Sequence, residues 1–271
     1  MFERAIVAVD PTQDPQALLQ YATKLHADGG LQLVLVIVLP TGSPRFAEAR
    51  HMPEVRAAMH RVGEQLVEEA VARLPDELAG SAAVASGPQE LPRVIHDLIH
   101  QYEADLVALQ YPVESPVHEW LGGGLLLRTI ELTQSSVLVV EEGVPPPSGE
   151  KAIYCYSGSE ASRRALPTAI EFAKLFDLTL EVVHADRDLE AGRAAMEAVR
   201  ELDLPGEVDL ELVEQGQRET VSDALRRHVS AVGDPMVVAL REALGGTQIP
   251  TGVLRLRPKA LLTLAPAEGD S

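Results

Sequence analysis

Arg4-Ala5-Ile6 returns as Lys151-Ala152-Ile153, and from these two points the chain matches itself at a constant offset of 147 residues. Ala22 falls on Ala169, Leu33 on Leu180, Leu35 on Val182 and Val36 on Val183. Roughly forty residues align without a gap, each copy running apolar strand, turn, helix, apolar strand. A compact apolar run such as Ala5–Val9 is what a strand covered on both faces requires, so the pattern predicts parallel sheets with right-handed crossovers. A repeated strand–helix–strand unit means two sister domains in place of one large one, with any ligand expected at the carboxyl ends of the strands.

Asp10-Pro11-Thr12 closes the first strand, and Pro15 opens a helix whose Leu18, Leu19, Ala22 and Leu25 recur at helical spacing. Gly29-Gly30 ends that helix, and Leu33–Leu39 reads as the second strand. Phe46 to Leu74 is charged and helical in period, Ala82–Ala85 is a third strand and Leu91–Tyr102 a third helix. Leu106–Leu109 and Val137–Val140 are two further strands, with the amphipathic stretch Leu125–Leu132 between them. Glu141 to Gly149 then carries three consecutive prolines flanked by glycines, a stiffened linker with nothing to bury. The pattern restarts with strands at Ala152–Tyr156, Leu178–His184, Val208–Val213, Met236–Leu240 and Ala260–Leu264, and with helices through Ala165 to Ala173, Leu189–Leu202 and Val221–Val229. The expected organisation is one domain over 1–142, a linker over 143–150 and a second domain over 151–271.

Composition narrows the functional classes. A hydrophobic content of 46% in 271 residues suffices for two cores, and an aromatic content of 4% means that Val, Leu, Ala and Ile must build them. The net charge of −18 repels phosphate backbones and anionic membranes, which argues against nucleic acid as a partner. Cys155 is the single cysteine, so no intrachain disulfide forms, and its place in a strand predicts a small buried hydrophobe. Met1-Phe2-Glu3-Arg4 runs straight into a strand with no basic-then-apolar leader. The longest apolar run, Leu31 to Pro40, is interrupted by Gln32 and too short to span a bilayer. The expectation is a cytoplasmic protein without membrane insertion.

Several of these segments carry a family likeness. Ala5-Ile6-Val7-Ala8-Val9-Asp10 resembles the opening of universal stress protein A family domains. Ser157-Gly158-Ser159-Glu160-Ala161-Ser162-Arg163-Arg164-Ala165-Leu166 is similar to that family's first turn and helix, and Val182-Val183-His184 to the end of its second strand. Ala104-Asp105-Leu106-Val107-Ala108 resembles the fourth strand, and Ser136-Val137-Leu138-Val139-Val140 the last. The likeness runs through nearly the whole chain, twice. It implies an α/β protein of two tandem Rossmann-like domains of the adenine-nucleotide-binding type, each an open five-stranded parallel sheet with helices on both faces. It also implies domains that pair, here with each other, with a homodimer as a further possibility. Many members bind ATP or AMP, many others do not, and few are catalysts.

The resemblance places an ATP or AMP site in the first domain at Asp10, Pro11, Val38, Gln110, Val113, Gly122, Gly123 and Gly124. Binding members carry the loop G-x-x-G-x(9)-G-[ST] after the fourth strand, because glycines let backbone N–H groups approach phosphates and the hydroxyl adds a donor at a helix N-terminus. Counting back from Val137–Val140 puts the last pair at Gly123-Gly124, with Val113 and Gln110 where the earlier glycines belong. Tyr111-Pro112-Val113 adds a proline, which has no N–H to offer. Asp10 falls where family members contact the adenine or ribose, and it serves equally well as a turn or N-cap residue. Gly122-Gly123-Gly124 retains N–H groups for an anion, while Glu114 and Glu119 bring negative charge to the same loop. In the second copy Ser157 replaces the aspartate. Val107 to Val137 spans 30 residues but Val238 to Ala260 only 22, so the loss falls on the phosphate loop and its helix. Gly245-Gly246-Thr247 reads there as a turn.

Other constellations are weaker. His96-Asp97-Leu98-Ile99-His100 sets two imidazoles at i and i+4, the spacing metal-binding helices use, but Asp97 stands where zinc proteases have Glu and no third ligand is identifiable. The helical register points Ile95, Leu98 and Ile99 inward and both histidines to solvent. Ser157-Gly158-Ser159 beside His184 is turn chemistry, and no G-x-S-x-G elbow exists. Trp120 with Leu121 and Leu125–Leu127 is helix packing or a docking patch. The leading expectation is a non-catalytic tandem stress protein that acts through contacts with an unidentified protein partner, with nucleotide binding weak or lost. Its rivals are an ATP- or AMP-binding regulator using the first domain and a metal-dependent hydrolase around His96 and His100.

Overall fold

The computed structural model describes residues 2–9, 14–38, 53–72, 81–85, 91–111, 130, 133, 135–147, 149, 151–233, 235–241 and 259–265. The first half contributes β1 (Arg4–Val9), α1 (Gln16–Gly29), β2 (Gln32–Val38), α2 (Pro53–Ala72), β3 (Ser81–Ala85), α3 (Leu91–Tyr102), β4 (Leu106–Tyr111) and β5 (Ser136–Glu141). The second contributes β6 (Lys151–Tyr156), α4 (Glu160–Leu175), β7 (Thr179–Asp186), α5 (Leu189–Arg200), β8 (Val208–Glu214), α6 (Val221–Val232), β9 (Met236–Leu240) and β10 (Ala260–Leu264). The chain divides into two compact units, one of Phe2–Ser135 with Val139–Pro145, the other of Pro146–Ser271 with Ser136–Leu138. Among the described residues no helix is long and apolar enough to cross a membrane.

The first half's strands lie in the order β3-β2-β1-β4-β5 and the second half's in the order β8-β7-β6-β9-β10, so the second repeats the first. β1 pairs in parallel with β2 and β4, and β6 with β7 and β9. Even the register repeats: Ala5 faces Leu33 and Leu106, while Ala152 faces Leu180 and Met236. Parallel strands need crossovers, and right-handed crossovers in both directions from the first strand put helices on both faces of the sheet. The fold class expected from the repeat and the resemblance is therefore the one observed.

The central strands explain their own position. Ala5–Val9 and Ala152–Tyr156 are buried along their whole length, as strands covered on both sides must be. α1 buries Leu18, Tyr21, Ala22 and Leu25 against β1, β2 and β4. α4 buries Leu166, Ala169, Ile170 and Phe172. Each buried Leu or Ile among them contributes about 1.5–3 kcal/mol of transfer free energy. Cys155 is buried as expected, which pushes its thiol up to about 12 and leaves it unreactive. Helix ends follow local chemistry: α1 stops at Gly30, whose φ of 67° permits the left-handed cap. α6 begins with the capping box of Thr220 and Asp223.

Candidate functional site

In each unit the strand order reverses beside its first strand, between β1 and β4 and between β6 and β9, and a topological switch point of this kind is where open α/β sheets bind ligands. Of the residues expected to hold a nucleotide, Asp10, Pro11, Val113, Gly122, Gly123 and Gly124 lie outside the described residues. So do Trp120 and Gly245–Thr247. Val38 is the last residue of β2 and pairs with Ala85. Gln110 is at the carboxyl end of β4, buried, and its side-chain amide donates to the Asp14 carbonyl at 2.9 Å. That bond links β4 to the segment leading into α1, across the switch point.

Two residues that sequence reasoning missed complete this rim. The Asp14 backbone N–H donates to a Glu142 carboxylate oxygen at 2.9 Å, and the Gln16 N–H donates to the Asp14 carboxylate at 3.1 Å. Glu142 is held by its own N–H, which donates to the Tyr111 carbonyl at 2.9 Å. The N-cap residue of α1, Pro15, makes no side-chain cap bond, so these two carboxylates supply the negative charge that a helix start attracts. A helix N-terminus carries about +0.5 of an elementary charge. Here two carboxylates of the chain already lie on the Asp14 and Gln16 amides. The Tyr21 hydroxyl also reaches the Pro145 carbonyl at 3.4 Å, fastening the segment after Glu142.

The corresponding turn of the second unit closes on itself. Ser159 caps α4 by accepting from the Ser162 N–H at 3.0 Å, and the Ser157 hydroxyl donates to Ser159 Oγ at 2.9 Å. Gly158 has φ of +81°, and a Cβ there would lie 3.4 Å from His184 Cε1 and 3.9 Å from Ala195 Cβ. His184 thus fills the space beneath the turn. Its Nδ1 donates to the Tyr156 carbonyl at 2.9 Å and its Nε2 lies 3.6 Å from Asp186. The histidine ring is oriented by its bond to the Tyr156 carbonyl and packs beneath the turn. Just after β9, burial pulls the Arg241 guanidinium down to about 10, which still leaves it charged at neutral pH.

A second feature was missed entirely. Glu181 in β7 has a side chain only 9% exposed, bonded by Lys151 Nζ at 3.0 Å and by His228 Nε2 of α6 at 2.8 Å. Lys151 also pairs with Asp209 of β8 at 3.0 Å. Burial raises the Glu181 carboxyl, but the bonds from His228 and Lys151 together outweigh it and hold the group below its ordinary value. The same network raises Lys151, chiefly through Glu181 and then Asp209. The signal was available: Glu181 interrupts Leu180-Glu181-Val182-Val183, where the first copy has the buried Val34. The network ties α6 to three strands at their amino-terminal half, away from the switch point, and is structural.

His96 and His100 are exposed on α3 while Ile95, Leu98 and Ile99 are buried, as the helical period requires. Among the described residues no group of three or more His, Cys, Asp or Glu side chains could hold a metal ion.

Residues 1–141 match the model of the Universal stress protein family. No protein of curated function matches the chain. Among solved structures, a universal stress protein from Archaeoglobus fulgidus superposes with a TM-score of 0.68 at 12% identity, covering 98% of this chain and 97% of its own. A functionally unknown protein from Pseudomonas aeruginosa gives 0.64 at 17% identity, covering 98% and 93%. The cytoplasmic domain of a prokaryotic cation chloride cotransporter gives 0.54 at 10% identity, covering 98% and 96%. At these identities the likenesses establish the fold.

Proposed function

This chain belongs to the universal stress protein family, and from that premise we propose a non-catalytic stress-response protein whose two halves are both domains of this type. It acts in the cytoplasm through contacts with a protein partner, and adenine nucleotide binding is weak in the first domain and lost in the second. The observation behind this reading is the rim of the first switch point. There the Asp14 amide is taken by Glu142, the Gln16 amide by Asp14, and the Gln110 side chain by the Asp14 carbonyl. A triphosphate needs free donors and positive potential at such a place. Here it would have to displace two carboxylates, and Gln110 and Val113 stand where the family's binding loop has glycines, with Pro112 between them offering no N–H.

In the second domain the turn after β6 spends its donors on Ser157, Ser159 and Ser162, and His184 occupies the room below Gly158. The surface that remains is strongly acidic, with a net charge of −18 over the chain, which suits a partner with a basic face. Titration calorimetry with ATP and with AMP tests the reading. We expect no heat of binding at concentrations up to about 100 µM, whereas a dissociation constant below about 10 µM would reject it. Tight binding that disappears in Asp10→Ala would instead identify a nucleotide-gated regulator using the first domain.

A further inference from the structure

α3 is anchored through Ile95, Leu98 and Ile99, all buried, so its backbone is fixed and its outer face carries His96 and His100 one turn apart. Both imidazoles are exposed, and their ring centroids lie 4.6 Å apart with the planes at 81°. We propose that His96 and His100 form a chelate for one divalent transition-metal ion of the Cu2+ and Ni2+ class.

The separation is what selects the class. An imidazole nitrogen binds such ions at about 2.0–2.1 Å, and the ring centre lies about 1.2 Å farther along the lone pair. Two ring centres about 4.5 Å apart then subtend close to a right angle at the ion, whereas about 5.2 Å would suit a tetrahedral site. A right angle is the cis angle of square-planar and tetragonal coordination, the geometry of Cu2+ and Ni2+, and neutral imidazole suits both. The terminal torsion of a histidine is broad, so the two lone pairs converge by ring rotation with no movement of the helix. Among the described residues no third protein ligand stands beside the pair, so the remaining positions take water or groups from outside. Asp97, exposed between the two histidines, offsets Arg93 one turn earlier, and the acidic surface as a whole draws cations in.

Cu2+ added to the full-length protein, followed by electron paramagnetic resonance and by titration calorimetry, tests this directly. The expected result is a first equivalent bound in tetragonal geometry with two nitrogen donors. His96→Gln and His100→Gln should each weaken that first equivalent at least tenfold, while circular dichroism and the metal-free thermal midpoint stay at their wild-type values. Ni2+ should bind more weakly and show the same dependence on both histidines. The proposal is overturned if both variants keep the wild-type affinity for the first equivalent, or if the wild-type spectrum shows fewer than two nitrogen donors.

Discussion

The entry to α1 at Asp14–Gln16 and the turn after β6 precede equivalent helices in two copies of one fold, yet their backbone amides are taken by different means. In the first unit the closing group is Glu142, 128 residues from the Asp14 amide it receives. In the second, Ser157, Ser159 and Ser162 bond one another and their own backbone within five residues. A local closure forms with its helix and persists as long as that helix does. A long-range closure depends on where the segment after β5 lies, so it is the one that a ligand, a partner or a single substitution can undo.

The comparison extends into the sheets, and there the largest effect is expected. Val34 and Glu181 occupy equivalent positions, one buried among apolar neighbours, the other buried in an ionic network. Glu181→Gln takes the anion from His228 and leaves Lys151 with Asp209 alone, and should cost about 2–3 kcal/mol, less than a fully buried pair because Lys151 is partly exposed. Chemical denaturation resolves this. The pH dependence has a definite sign: the folded carboxyl sits below its unfolded value. Its contribution is therefore complete above about pH 4.3 and disappears as the pH falls through the folded value. Acid titration of the wild type should show this loss and Glu181→Gln should lack it. Equal acid sensitivity in the two would mean that the network contributes nothing.

Two smaller changes probe the local closure. The Tyr154 hydroxyl is buried, which raises its pKa well above the ordinary value, and it donates to the Ser162 carbonyl at 2.8 Å. Tyr154→Phe removes that bond and should cost about 1–2 kcal/mol, read as a lowered denaturation midpoint with an unchanged slope. Gly158→Ala puts a side chain at φ of +81° and against His184, for a cost of about 1 kcal/mol. A neutral result there would mean that the turn relaxes, and that His184 does not fill the site.

What could be read from residues alone divides along the same line. The offset of 147 residues and the apolar runs are local patterns, and they carry the strand order because parallel strands and right-handed crossovers leave few alternatives. The turn Ser157-Gly158-Ser159 before α4 and the solvent-facing pair His96 and His100 are legible for the same reason. Gln110 could be placed by counting back along the chain, but its partner could not. Nothing near Glu142 marks it as more than the first residues of a proline-rich stretch, and nothing near Asp14 marks its amide as spoken for. Contacts made across more than a hundred residues are set by tertiary packing, and single-sequence periodicity does not encode them. Glu181 is the intermediate case: a charge inside an apolar run announces a buried partner without saying that the partner is His228, 47 residues on.

The smallest expected change in stability belongs to the substitution that most sharpens the contrast. Glu142→Gln keeps a side-chain oxygen within reach of the Asp14 amide but removes its charge, so the bond weakens from charge-assisted to neutral. The cost should be about 0.5–1 kcal/mol. Hydrogen exchange should report it as faster exchange at Asp14 and Gln16 and in the first turn of α1, with α4 unaffected. The functional consequence runs the other way. With one carboxylate gone, the start of α1 regains positive potential, and inorganic phosphate or AMP should bind the variant more tightly than the wild type, by about fivefold for a gain of 1 kcal/mol. Unchanged affinity together with unchanged exchange would show that Glu142 only rests on the helix, and that the first switch point owes its closure to Gln110.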